Sequence, residues 1–195
     1  MPMGPGLRKF ALTAHVTSSV GWIGAVVAFL VIALVALLNA DAEKVRAAST
    51  TMELMGWFVI VPFSLASLAS GLIQSLGTPW GLFRHYWVIA KLMITVGASV
   101  LLVLHMRVVS SIAVAASDGA TPPGHMQGPK MQVVADAAAA LLVLLIAAAL
   151  SIYKPQGRTD GPTPRWVYVT GTIVVVMMMT LVMRHLAGGG MQSHL

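Results

Sequence analysis

Cysteine is absent from all 195 residues of the chain, and that absence removes several chemistries at once. It excludes a disulfide, a thiolate-ligated zinc ion, an iron–sulfur cluster and a covalent c-type haem attached through Cys-x-x-Cys-His. Charge is nearly as scarce: Asp, Glu, Lys and Arg together make up 9% of the residues, and only six are acidic. No hydrolase triad or phosphate-binding glycine loop can be found either, so any enzymatic activity would be a haem-dependent redox activity. The chain has no stretch suited to a domain outside a membrane, no internal repeat, and no low-complexity tract beyond Gly188 to Gly190.

What is present is apolar. Hydrophobic residues account for 57% of the chain and the mean hydropathy is +0.85, far from the balance of a soluble domain. Five apolar runs, over residues 10–38, 52–76, 79–116, 133–152 and 165–186, each approach or exceed the ~20 residues that a spanning helix needs. The expected fold is an all-α integral membrane protein, a single bundle of about five transmembrane helices covering 1–195. The first run, entered by Arg8 and Lys9, is longer than the ~7 to 15 residues of a signal-peptide core and reads as a retained helix.

Boundary residues agree with these runs. Thr78 and Pro79 form an N-cap and first-turn pair, which predicts a third helix starting at 79 that carries Arg84, His85, Tyr86 and Trp87 through the interface. Thr163 and Pro164 introduce the fifth run in the same way. Pro62, inside the second run, predicts a kink.

Basic residues on the two faces count six against five: Arg8, Lys9, Arg84, Lys154, Arg158 and Arg165 against Lys44, Arg46, Arg107, Lys130 and Arg184. That margin places the N-terminus in the cytoplasm by the positive-inside rule. A pI of about 10.2 raises the question of nucleic acid, but charges spread over both faces fit anionic lipid headgroups and give no nucleic-acid site.

Four of the six histidines lie in or beside the apolar runs, where an ionisable group is costly and points to function. Alternate crossing puts His15 and His85 toward one face of the membrane and His105 and His185 toward the other. His15 and Trp22, seven residues apart, share a helix face whose neighbours Thr17, Ser18, Ser19, Gly21 and Gly24 are small enough for close approach. His85 and His105 are twenty residues apart, a rise of ~30 Å, so one helix can offer a ligand to each leaflet. Lys91 and His105 lie on nearly one stripe. Met178 shares the face of His185, and Arg107 and Arg184 are candidate partners for a haem propionate. Glu53 and Asp136, placed at helix starts on the His105 side, either answer the helix dipole or orient imidazole N–H groups. His125, Met126, Met131, Met191 and His194 form Met/His segments outside the runs that suit transient copper or ordinary loops.

His15 followed by Trp22 and Gly24, with Thr78 to Gly81 leading to Lys91 and then to His105, Met106 and Arg107, resembles the copper-resistance-D-like family of bacterial membrane proteins. That family shows a His-(x)6-Trp-x-Gly first helix and a Thr-x-x-Gly to Lys segment. The chain is more closely similar to a group of actinobacterial integral membrane proteins of unassigned function. The resemblance covers helices one and three and implies a helical bundle with copper handling, carried by His15. A methionine-lined conduit is missing from the sequence.

Histidine with no cysteine favours non-covalent haem b, in one or two copies, serving transmembrane electron transfer or redox sensing. Two haems would pair His15 with His85 and His105 with His185; one haem would use a subset containing His105. Copper binding or transport through the same four histidines is the alternative, and a metal-free structural subunit is the third. The expected surroundings are the lipid bilayer and a redox partner or quinone, with self-association left open.

Overall fold

The computed structural model describes residues 3–77, 82–118 and 126–153, together with Thr159, Arg165, Val167, Val169, Thr172, Val176, Thr180 and Met183. Among the described residues the elements are α1 (Pro5–Leu38), α2 (Ala42–Met55), a π-helical turn (Gly56–Ile60), α3 (Val61–Gly77), α4 (Tyr86–Asp118) and α5 (Gln127–Tyr153). Four helical segments are long and apolar enough to cross a membrane, α2 to α3 counting as one. The chain is therefore a multi-pass, all-helical protein of the membrane-spanning type. A fifth helix over 165–186 lies largely outside the described residues; those described between Arg165 and Met183 are helical, and Thr180 Oγ1 donates to Val176 O at 2.8 Å.

The spans begin and end elsewhere than the apolar runs do. The second starts ten residues earlier than expected, at Ala42, because Asp41 caps it: its Oδ1 accepts the Glu43 N–H at 3.0 Å and the Lys44 N–H at 3.4 Å. A side-chain oxygen there satisfies amides that would otherwise lack a partner, so polar residues 43–51 enter a helix instead of a loop. The third span's helix begins at Tyr86, with residues 82–85 outside it; Thr78 and Pro79 lie outside the described residues. The His85 carbonyl accepts from Val88 N–H at 3.1 Å and Ile89 N–H at 3.3 Å, while Phe83 O and Arg84 O bond Thr159 at 2.8 and 3.2 Å. These two carbonyls find their partners in Thr159, so the segment before His85 is satisfied without helical bonds. The fourth begins at Gln127 and takes Pro129 into its first turn, where proline is tolerated.

Pro62 follows a π-helical turn inside the second span. Proline has no N–H, and its ring crowds the carbonyl four residues back. The helix widens there: Val61 N–H bonds Gly56 O, five residues away, through the π-helical turn.

Helix α1 is the centre of the bundle, packing on α2, α3 and α5, while α4 packs on α2, α3 and α5. Its inward stripe of Trp22, Ala25, Val26, Phe29, Ala33 and Ala36 is buried, with Ala33 and Ala36 at 1% and 0% exposure. Small residues there let the helices approach closely, which is what holds a bundle whose surroundings are as apolar as its core. The outward face, with Val16, Val20, Val27, Val31 and Leu38, is exposed and suited to lipid. The Met3 N–H bonds Gly77 O at 3.2 Å, so the start of α1 and the end of α3 share one end of the bundle with the start of α4.

Candidate functional site

Two polar centres interrupt this apolar interior, one toward each end. The first joins α1, α3 and α4. His15 Nδ1 lies 3.1 Å from both Ser67 O and Ser70 Oγ, and its Nε2 lies 3.4 Å from Lys91 Nζ. A carbonyl only accepts, and the Ser70 hydroxyl already donates to Ala66 O at 2.6 Å, so the proton sits on Nδ1. Nε2 then presents its lone pair to Lys91, which donates. His15 is thus a neutral imidazole accepting from an ammonium. Ser19 Oγ bonds Ser67 Oγ at 2.8 Å, and Gln74 Nε2 donates to Ala11 O at 2.8 Å, which ties α1 to α3 on both sides of the ring. Gly71 faces the imidazole: a Cβ there would lie 3.1 Å from His15 Cε1.

The second centre joins α4 and α5. His105 Nδ1 is 3.2 Å from Asp136 Oδ2, and both residues are buried. They line a partly open cavity of about 80 Å³ whose other walls are apolar, among them Trp22, Phe29, Leu102 and Leu144. Asp136 is the tenth residue of α5 and Glu53 the twelfth of α2, so neither occupies the first turn that a dipole reading requires. The role left for Asp136 is to hold the imidazole.

The expected site residues divide accordingly. His15 and Lys91, the histidine and lysine of the two motif segments, meet. His85 sits one residue before α4, its ring 6.4 Å from that of Trp87, about two helical turns (~9 Å) from Lys91 along the axis. Trp22 serves the His105 cavity and not the His15 centre, being ~10 Å further along α1. Arg107 is exposed, two residues past His105 and so on the far side of α4. His185 and Arg184 lie outside the described residues, as do His125, Met191 and His194. Met126 is buried in the core while Met131 is 61% exposed, so the loop methionines do not face one site. Gly21 touches Phe63 as a close-approach position should, but a Cβ at Gly24 would meet nothing within 4 Å. No group of three or more His, Cys, Asp or Glu able to hold a metal occurs among the described residues. The contact between His15 and Lys91, 76 residues apart, is what sequence reasoning missed; their shared side of the membrane was the signal.

No family model matches the chain, and no curated protein or solved structure matches it.

Proposed function

We propose that the protein is a redox-linked membrane component that binds the polar tip of a lipid-soluble carbonyl compound, of the quinone class, at His105 and Asp136. One observation carries this reading: an imidazole and a carboxylate, with Nδ1 and Oδ2 3.2 Å apart, are the polar feature of an otherwise apolar cavity inside the spans. A pocket of that make-up is the usual form of a small-molecule site. Asp136 lies beside Nδ1, and a ligand's polar tip entering the cavity would meet the imidazole that lines it. As a lone pair Nε2 accepts the proton of a quinol hydroxyl; as N–H it donates to a quinone carbonyl, and the Asp136 carboxylate offsets the imidazolium charge. The roughly 80 Å³ of space takes a carbonyl and part of a ring, at ~30 Å³ per water-sized group, and leaves an apolar tail to the lipid.

Haem b with His105 as axial ligand is the second reading, favoured by the same contact, since ligating histidines donate their other ring nitrogen to a carboxylate. The donor chemistry fits, while about 80 Å³ holds only part of a ring, so a whole macrocycle would need the helices to move apart. Copper, which the copper-resistance-D-like resemblance suggests, has His105 and Asp136 as donors there.

Titrating the purified full chain with a short-chain benzoquinone while following tryptophan fluorescence tests the reading. Saturable quenching that is lost in Trp22→Phe and weakened about tenfold in Asp136→Asn is expected. A Soret band after haem-replete expression reassigns the site to haem, and stoichiometric copper without haem reassigns it to copper. Neither quenching nor cofactor leaves the pair a structural role.

A further inference from the structure

The Lys91 centre has a charge to answer and nothing described that answers it. The ion pairs among the described residues are Lys44 with Asp41 and His105 with Asp136, so Lys91 has no carboxylate there. Its one described hydrogen-bond partner is His15, and the bond pattern above makes that imidazole neutral. A neutral ring orients the ammonium but does not cancel its charge. The serine hydroxyls nearby are already used, Ser70 on Ala66 O and Ser19 with Ser67, so they do not supply a negative group either. An uncompensated ammonium among apolar helices is costly unless a counter-ion reaches it.

Depth decides which counter-ion. Lys91 is five residues into α4, ~7.5 Å from its start, which is within snorkelling reach of the headgroup layer. Two exposed arginines lie at the same end of the bundle. Arg8 lies one heptad before His15, on nearly the same face of α1 and ~10 Å nearer its start, and Arg84 lies just before α4. The order from the surface inward is therefore two exposed guanidiniums, then a half-buried ammonium held in place from below by an imidazole.

We propose that Lys91, aimed by His15, is the inner contact of a site for a phosphate-bearing anion, the headgroup of an anionic phospholipid on the side of the membrane that holds the start of α1. Arg8 and Arg84 supply the outer contacts, where a bidentate guanidinium suits a phosphate. The site is independent of the His105 cavity, which lies fourteen residues and ~21 Å further along α4.

Native mass spectrometry of the full chain, released from nanodiscs of equal phosphatidylcholine and phosphatidylglycerol, reads the site directly. The wild type is expected to retain phosphatidylglycerol preferentially. Lys91→Met is expected to lower that preference about fivefold or more, the weight of one basic group at a membrane surface. Lys91→Arg, which keeps the charge, is expected to keep it, and Lys44→Met at the opposite end to leave it unchanged. Absence of any preference in the wild type overturns the proposal without recourse to a variant, and so does Lys91→Met retaining lipid as the wild type does. Displacement of the lipid by excess inorganic phosphate upholds the anion site and overturns the lipid as its occupant.

Discussion

His105 on α4 and Asp136 on α5 meet at 3.2 Å inside the spans, 31 residues apart in the chain and both almost fully buried. The contact sets an imidazole and a carboxylate side by side in a wall that is otherwise apolar. Each makes the other's burial tolerable.

Removing one partner is therefore expected to cost more than removing both. Asp136→Ala and His105→Ala should each lower stability by ~1 to 2 kcal/mol, the upper range for interhelical bonds in membranes, and the double variant should lose less than the sum. A double-mutant cycle from reversible unfolding in mixed micelles measures this; additive losses would show that the contact contributes nothing.

Gly21 and Gly56 are expected to respond differently to alanine. A Cβ at Gly21 would lie 2.8 to 3.2 Å from three atoms of the Phe63 ring, which cannot fold away, so α1 and α3 must separate. The expected loss is ~1 to 3 kcal/mol, partly relieved by adding Phe63→Leu. At Gly56 a Cβ meets Met106 Sδ and Cε, the far end of a flexible side chain, and the loss should be smaller. Thermal unfolding of the two alanine variants side by side decides it.

Gly71→Ala should displace the His15 ring by a few tenths of an ångström, given the 3.1 Å approach to Cε1. The expected consequence is a loosened hold on Lys91: nuclear magnetic resonance of His15 Nε2 should shift while that of His105 stays in place. A shift at both rings, or at neither, contradicts two separate centres.

Asp41 should make the start of α2 sensitive to acid. Amide donation from Lys44, then from Glu43, holds its carboxyl below the ordinary carboxylate value. A lowered folded value means that the stabilisation is present above the unfolded value of ~3.9 and disappears as pH falls through the folded one. The amide resonances of Glu43 and Lys44 should therefore titrate below pH ~4 in the wild type and not in Asp41→Ala, while Asp41→Asn retains the cap at all pH.

Much of the fold was legible because hydropathy is local. Runs of apolar residues longer than a bilayer is thick can be read without knowing their neighbours, and Pro62 announces a distortion wherever the helix lies. Helix ends were less legible. Asp41 looks like any loop acid until its oxygen is seen on two amides, and Arg84 with His85 looks helical until Thr159 is seen bonded to Phe83 and Arg84 just before α4. Alternation put Glu53 and Asp136 on the His105 side of the membrane, but only the packing of α4 on α5 shows that Asp136 is the one beside it.

By itself the sequence determined the class of protein, all-helical with several spans of membrane length, and which ionisable residues fall in its apolar runs, because each follows from composition along one helix. Only the tertiary structure decided what those residues do to one another. Azimuth and depth on separate helices turn His15 toward Lys91, direct Trp22 to the far cavity, and set Asp136 against His105. Those pairings depend on how four helices pack, over separations of up to 76 residues, and no local pattern encodes them.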